Sequence, residues 1–143
     1  MGDIDEAKRI LGKEGATLVI VKEGRVLLTS DSSGISGLLQ AIEELGKEMA
    51  GSSVADRIVG RAAALLLAYS KIGEVFAFII STEGLKVLRE NGIKVEHQNV
   101  VQTILDRTGM NVCPFEKFSS KIKAIETAYD QLKAFAEECR KIE

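Results

Sequence analysis

The chain has 143 residues, of which 45% are hydrophobic and 28% are charged, and its formal net charge is −2. A chain of this size buries a core without disulfides or metal ions, and its near-neutral charge gives no general attraction to nucleic acid or anionic lipid. The N-terminus lacks the apolar segment of a signal peptide, and no apolar run approaches the roughly 20 residues that span a bilayer, so we expect one cytoplasmic domain over residues 1–143 that binds neither membrane nor nucleic acid.

A helix and a β-hairpin are the first elements that the sequence predicts. Apolar residues recur at helical spacing over residues 4–11, which indicates an amphipathic helix ending at Gly12 or Gly15. Segments 17–21 and 26–29 flank a short glycine-containing turn, the pattern typical of a hairpin. We expect these two strands to begin the sheet of the domain.

Five small polar residues, Ser30 to Gly34, precede a second helix that is predicted to start at Ile35. Free N–H groups at a helix start after such a loop can hold an anion. A capped surface loop is the alternative that we favour, because serine, aspartate and glycine are ordinary turn formers.

The middle of the chain predicts a buried helix followed by a buried strand. Ser52 or Ser53 is the expected N-cap of the helix, and Asp56 is its first-turn acid. Residues 62–69 are apolar on every face, so this helix must be buried all round. Residues 75–80 then form a continuous apolar run, as in a strand covered on both faces.

A second helix and strand follow this unit. Ser81 or Thr82 is the predicted cap of a helix over residues 83–90, which ends at Asn91-Gly92. The short β-branched segment 93–96 is the next predicted strand. We expect a right-handed crossover, which makes the two strands parallel.

The last third of the chain predicts helices separated by a loop. Apolar residues between Val100 and Leu105 indicate a short helix that ends at Asp106, followed by an irregular loop. A long C-terminal helix is predicted over about residues 115–141. Its apolar stripe either packs on the parent domain or pairs with a second copy in a homodimer, and we favour packing within the chain.

Cys113 is the predicted N-cap of this last helix, because Pro114 suits the first helical position and Glu116 has the spacing of a capping box. Cys113, Cys139 and His97 match a zinc ligand set in number only, since none of them lies at paired short spacing. We expect no zinc and two free thiols.

The sequence carries no G-x-G-x-x-G, Walker lysine, G-x-S-x-G or H-E-x-x-H motif. The site must therefore be inferred from geometry: ligands of open sheets bind beyond the carboxyl ends of parallel strands, where helix N-termini converge. The predicted ligand-binding residues are Asp56, Arg61, Ser81, Thr82, Arg107, Thr108, Gly109 and Cys113.

Each of these residues also has a structural interpretation. Asp56 is a candidate general base or ligand-orienting carboxylate, or only part of a helix cap. Arg61 either reaches solvent or faces a polar cleft. Arg107 with the neighbouring backbone N–H groups suits phosphate, although a loop arginine is most often solvated. Cys113 is a candidate nucleophile at a helix N-terminus, where Glu116 opposes a lowered thiol pKa.

These residues also carry a resemblance to a protein family. The matching segments are Ala55-Asp56-Arg57-Ile58-Val59-Gly60-Arg61-Ala62-Ala63-Ala64-Leu65, the strand ending in Ser81, Asn91-Gly92-Ile93-Lys94-Val95, Asp106-Arg107-Thr108-Gly109 and Cys113-Pro114-Phe115-Glu116. Over about residues 17–118 the chain resembles the bacterial and archaeal family called domain of unknown function 1893. The family pattern has Asn-Arg at Asp106-Arg107, and lysine at Arg57 and Arg61.

The resemblance implies a three-layer α/β fold with a mixed sheet, similar to that of cytidine deaminases, with the 75–80 strand at its centre. Enzymes of that superfamily carry H-x-E or C-x-E before the central strand and P-C-x-x-C after it. Here Asp56 to Arg61 and Ser81 to Leu85 hold no such zinc ligands. Zinc-dependent deamination is therefore expected to be absent.

The leading functional hypothesis is binding of a nucleotide or a related phosphorylated small molecule, without a further cofactor. Asp56 would orient ribose or base, and Arg107 would hold phosphate. Two alternatives stay open: a metal-independent enzyme that uses Asp56 or Cys113, and an interaction protein that assembles through its C-terminal helix.

Overall fold

The computed structural model describes residues 2–13 and 15–142. Its strands are β1 (Leu18–Lys22), β2 (Arg25–Ser30), β3 (Ser53–Val59), β4 (Glu74–Ser81) and β5 (Lys94–Val101). Its α-helices are α1 (Asp3–Lys13), α2 (Ser36–Leu45), α3 (Arg61–Tyr69), α4 (Thr82–Glu90), α5 (Pro114–Ser119) and α6 (Ala128–Ile142). Short 3-10 turns at Gly46–Met49 and Ile125–Thr127 precede β3 and α6.

The strands form one mixed sheet in the order β2-β1-β3-β4-β5. β1 is antiparallel to β2 and β3, whereas β3, β4 and β5 are parallel to one another. Along β1, Val19 and Val21 pack with α1, while Leu18 and Ile20 pack with the core that includes α2, α3 and α4. This alternation places helices on both faces. The predicted hairpin and the three-layer α/β fold with a mixed sheet are confirmed.

The prediction of a helix starting near Ser52 is wrong, because residues 53–59 form β3, the middle strand of the sheet. The Ser52 hydroxyl donates to the Met49 carbonyl and the Ser53 hydroxyl to the Glu74 carboxylate, so neither serine caps a helix. β-branched residues favour the strand, and the helix begins only after Gly60. The 75–80 segment is a strand as predicted, but it lies beside the middle strand rather than at the centre.

The end of β5 also differs from the prediction. Val100 and Val101 pair with Ile80 and Ser81, so they extend the strand where a helix was predicted. Leu105 forms an isolated bridge with Val112 across the following loop. The apolar spacing in this segment therefore reflects an edge strand and a loop, and not a helical face.

The predicted C-terminal helix is divided into α5 and α6. Ser119 and Ser120 donate their hydroxyls to the Glu116 and Lys117 carbonyls, three residues earlier, which competes with continued helical pairing. The Arg61 guanidinium in addition binds carbonyls of this segment. These contacts end α5 after six residues.

α3 is buried all round, as its composition predicts: every side chain from Ala62 to Ala68 is buried. α5 and α6 pack against α3, and the Tyr69 and Tyr129 rings stack with centroids 5.7 Å apart. Leu132 of α6 is fully buried. The apolar stripe of α6 thus packs on its own chain. Within the described ranges, no helix has the length and apolar character needed to cross a membrane.

Candidate functional site

A cleft of about 570 Å³ opens at the carboxyl ends of β3, β4 and β5. The N-termini of α3 and α4 meet there, which is the position that the geometric argument predicts. The residues lining the cleft are Arg61, Ser81, Glu83, Gln102, Thr103, Val112, Glu116, Lys117 and Ser120. Two of the predicted ligand-binding residues, Arg61 and Ser81, are among them.

Two glycines bring the helix starts together. A Cβ atom at Gly84, in the first turn of α4, would lie 2.9 Å from the Gly60 carbonyl oxygen and 3.1 Å from the Val59 carbonyl oxygen. Only glycine permits this approach without displacement of the backbone. The starts of α3 and α4 are therefore held side by side at the floor of the cleft.

Glu116 caps α3 from a distant part of the chain. Its carboxylate accepts hydrogen bonds from the backbone N–H groups of Arg61, at 2.6 Å, and Ala62, at 3.0 Å. These are two of the N–H groups that a helix leaves free at its start, and the helix dipole favours a negative charge there. The prediction that Glu116 forms a capping box with Cys113 is thus wrong. Glu116 caps α3 and not its own helix, α5.

The Arg61 side chain connects the same elements in the opposite direction. Its guanidinium donates to the Ser119 carbonyl at 3.1 Å and the Ile122 carbonyl at 2.9 Å, and lies 3.9 Å from the Glu83 carboxylate. Arg61 lines the cleft, but its donors are directed mainly at the chain itself. Its first role is to fix the segment after α5 against α3.

Ser81 and Thr82 sit where the cap was predicted. The Ser81 hydroxyl accepts a hydrogen bond from the Gly84 N–H at 3.0 Å, so Ser81 is the N-cap of α4. The Thr82 hydroxyl donates to the Gln102 carbonyl at 3.3 Å and ties α4 to the chain leaving β5. The predicted cap is confirmed, and Ser81 is one of the residues that line the cleft.

Asp56 lies within β3 and not in the first turn of a helix. It pairs with Leu18 and Ala77 on the neighbouring strands, is 7% exposed, and is not among the residues that line the cleft. Desolvation raises the pKa of its carboxyl from 3.8 to about 7, an effect reduced by the backbone N–H groups of Ile58 and Arg57.

The loop carrying Arg107, Thr108 and Gly109 forms an exposed turn beyond β5. The Asp106 carboxylate accepts hydrogen bonds from the N–H and the hydroxyl of Thr108, and the hydroxyl contact chiefly lowers the Asp106 pKa. Gly109 has a φ of 74°, as the turn requires. None of these residues lines the cleft, although the loop returns to its rim at Val112.

Cys113 follows at this rim and is half-buried. It is the N-cap residue of α5, with Pro114 at the first helical position, but its side chain makes no capping hydrogen bond. The predicted position is confirmed, whereas its predicted partner Glu116 points to α3. Cys113 is not among the residues that line the cleft, although the preceding residue, Val112, is. It lies two residues before Phe115, whose ring packs against Phe135 of α6.

Sequence reasoning missed several cleft residues. Gln102 and Thr103 line the cleft but fell in the segment misread as a helix, and Lys117 and Ser120 fell inside the predicted C-terminal helix. Glu116 did carry a signal, because its spacing from Cys113 marks a capping glutamate. The sequence alone could not identify a partner 55 residues away.

The serine-rich loop before α2 borders a second cavity of about 420 Å³. The segment before α2 is a surface loop, as the favoured interpretation has it, but Ile35 is the N-cap residue of α2 and no side chain caps the helix. Hydrogen bonds within the loop and to Thr17 hold it in place. The Ser32 N–H donates to the Ser30 hydroxyl, and the Thr17 hydroxyl donates to the carbonyls of Ser30 and Ser32.

The donor chemistry at the two helix starts does not fit zinc. Gly60-Arg61-Ala62 and Ser81-Thr82-Glu83 offer neither histidine nor cysteine. Among residues 2–13 and 15–142, no group of three histidine, cysteine or acidic side chains is placed to hold a metal ion.

Comparison with known proteins gives a consistent family match. The model of the family described as domain of unknown function (DUF1893) matches residues 6–136. The crystal structure of a DUF1893 family protein from Thermotoga maritima is similar with a TM-score of 0.85 and 26% identity, over 92% of this chain and 88% of that chain. None of the curated proteins matches.

Similarity to two further solved structures is weaker. Acinetobacter baumannii RibD, form 1, has a TM-score of 0.48 and 20% identity over 67% of this chain and 33% of that chain. The dCMP deaminase from the cyanophage S-TIM5, in apo form, has a TM-score of 0.48 and 17% identity over 66% of this chain and 93% of that chain.

Proposed function

The chain belongs to the family called domain of unknown function 1893, and on the geometry of its cleft we propose that it binds a nucleotide or a related phosphorylated small molecule. The observation that carries this proposal is the cavity of about 570 Å³ at the point where parallel strands end and two helices begin. Cavities that hold small ligands typically range from about 300 to 1,000 Å³. The positive dipole ends of the two helix starts favour an anionic ligand at this position.

The polar lining suits a ligand with both anionic and hydroxyl groups. Lys117 supplies an exposed ammonium group at the cleft wall, and Ser81 and Ser120 supply hydroxyls. The Gln102 amide can both donate to and accept from a base edge, and the Glu83 carboxylate can accept from a ribose hydroxyl. In this assignment Lys117 binds phosphate, while the exposed Arg107 loop beside the rim supplies a second cation.

Asp56 has a different place in the proposal from the one that the sequence suggested. Because its side chain is buried in β3 and does not line the cleft, direct contact with ribose or base falls to Glu83 and Gln102. Asp56 is then a structural acid of the middle strand, three residues before the end of β3.

The test is isothermal titration calorimetry of the purified chain with AMP, GMP, CMP and UMP. Native mass spectrometry is carried out first to detect any co-purified ligand. We expect at least one nucleotide to bind, and Lys117→Ala to weaken its affinity about tenfold, as loss of a charged hydrogen bond does. Lys121→Ala is the matched control, since Lys121 is exposed in the same segment but does not line the cleft. No binding by any of the four, with no ligand in the native mass spectrum, would refute the proposal.

A further inference from the structure

The Arg61 guanidinium is bound at two of its nitrogen atoms and open at the third. Nε donates to the Ser119 carbonyl at 3.1 Å and Nη2 donates to the Ile122 carbonyl at 2.9 Å. Both residues that carry these carbonyls are buried, so the two contacts fix the plane of the guanidinium. Nη1 keeps its N–H donors at the wall of the cleft that Arg61 lines.

Glu83 places an acceptor beside this open donor. Its carboxylate oxygen Oε2 lies 3.9 Å from Arg61 Nη1, which is longer than the roughly 2.7–3.2 Å of a hydrogen bond. Within residues 2–13 and 15–142 the Glu83 carboxylate accepts no hydrogen bond, and its side chain is 59% exposed. Both residues line the cleft, so each keeps hydrogen-bonding capacity for a ligand.

The backbone beneath this donor and acceptor is held in one arrangement. Arg61 opens α3, and Glu83 lies in the first turn of α4. The two helix starts touch at Gly60 and Gly84, where a Cβ atom on Gly84 would lie 2.9 Å from the Gly60 carbonyl oxygen. A donor and an acceptor that are positioned before binding lose little freedom when a ligand arrives, so their hydrogen bonds contribute more to affinity.

The charge of Glu83 decides which part of a ligand fits beside Arg61 Nη1. A phosphate bound to Nη1 would lie next to the Glu83 carboxylate, and like charges at that distance repel each other. An uncharged group that has an acceptor next to N–H donors satisfies both residues. The hydrogen-bonding edge of a nucleobase is such a group.

We propose that Arg61 and Glu83 together recognise the base of the ligand and that this base is guanine. Of the four common bases, only guanine has two adjacent N–H donors, at ring atom N1 and at the 2-amino group, beside an acceptor oxygen, O6. The Glu83 carboxylate accepts from both N–H groups, and Arg61 Nη1 donates to O6. This inference rests on the proposed function and names the class of nucleotide. It leaves Lys117 to bind phosphate and Gln102 to bind ribose.

The test is isothermal titration calorimetry of the full chain with GMP, AMP, CMP, UMP and inosine monophosphate, which is GMP without the 2-amino group. We expect GMP to bind about tenfold more tightly than each of the others, because each lacks a hydrogen bond to a charged side chain that GMP makes. A second nucleotide that binds as tightly as GMP would overturn the inference and leave the proposed function standing. Binding by none of the five would refute the proposed function and the guanine assignment together.

Glu83→Gln tests the base contact by a change of specificity. The amide keeps one acceptor and gains a donor, so it matches xanthine, which has a carbonyl oxygen where guanine has its 2-amino group. We expect this variant to lose about tenfold in affinity for GMP and to gain about tenfold for xanthosine monophosphate.

Glu90→Gln is the matched control, because Glu90 is exposed on the same helix but does not line the cleft. This control should bind both nucleotides as the wild type does. Equal effects of the two substitutions, or a Glu83→Gln protein that keeps the wild-type preference for GMP over xanthosine monophosphate, would overturn the inference.

Discussion

Gly84 packs against the Gly60 carbonyl so closely that a methyl group on Gly84 would lie 2.9 Å from that oxygen. This contact joins the first turn of α4 to the residue that precedes α3. The atoms that would have to move are backbone atoms at the floor of the cleft. This one contact therefore fixes the two helix starts relative to each other.

Gly84→Ala is expected to lower the free energy of unfolding by about 1–3 kcal/mol, since a methylene inserted against backbone forces a shift. Chemical denaturation in urea measures this change. Gly12→Ala in α1 is the matched control: nothing lies within 4 Å of its Cβ position, and alanine should raise helix stability by roughly 0.5–1 kcal/mol. A Gly84→Ala protein as stable as the wild type would contradict the close contact.

Asp56 should make stability fall as pH rises. Its folded pKa of about 7 exceeds the usual 3.8, so between these values the unfolded chain releases a proton that the folded chain retains. The folded state binds more protons in this window, and the free energy of unfolding decreases by a total on the order of 4 kcal/mol from about pH 4 to about pH 7. Below the window the contribution of Asp56 is constant.

Asp56→Asn removes this dependence while it keeps an oxygen for the backbone N–H groups. The variant should match the wild type near pH 4 and exceed its stability at neutral pH, as measured by urea denaturation at several pH values. Asp106→Asn is the control of opposite sign, because the pKa of exposed Asp106 is lowered and its contribution is lost as pH falls. If the free energy of unfolding of the wild type and of Asp56→Asn changed with pH in parallel, the raised pKa of Asp56 would be refuted.

Local patterns in the sequence were sufficient for several elements. The all-apolar stretch of α3, the continuous apolar run of β4 and the Ser81 cap each depend on neighbours in sequence, and each was predicted. β3 was not, because Ser52-Ser53 followed by Asp56 is the pattern of a capped helix start. Only the partners on β1 and β4 decide that this segment is extended and that its acid is buried.

The sequence predicts where the candidate site lies better than it predicts which residues line it. The rule that ligands lie beyond the carboxyl ends of parallel strands located the cleft, with Arg61 and Ser81 on its wall. Glu116 was singled out by its spacing from Cys113, yet its actual partners lie more than 50 residues earlier. Contacts of that range depend on how α5 folds back over α3, which no local pattern encodes.

Arg61 should be the main polar attachment of the segment after α5. Its guanidinium satisfies the Ser119 and Ile122 carbonyls, and Ser119 and Ile122 are themselves buried. Without the guanidinium the Ser119 carbonyl still accepts from the Ile122 N–H, but the Ile122 carbonyl loses the Arg61 donor, and a buried acceptor left without a partner costs about 1–3 kcal/mol. Arg61→Ala is therefore expected to lower the free energy of unfolding by at least that amount, measured in urea.

Arg61→Lys distinguishes geometry from charge. A lysine keeps the positive charge near Glu83, but its compact ammonium group does not reproduce the fork of donors that binds two carbonyls at once. We expect it to recover less than half of the lost stability, whereas Lys86→Ala on the exposed face of α4 should change stability by under about 0.5 kcal/mol. Full recovery by lysine would show that Arg61 acts through its charge toward Glu83, and that the two carbonyl contacts contribute little to holding α5 against α3.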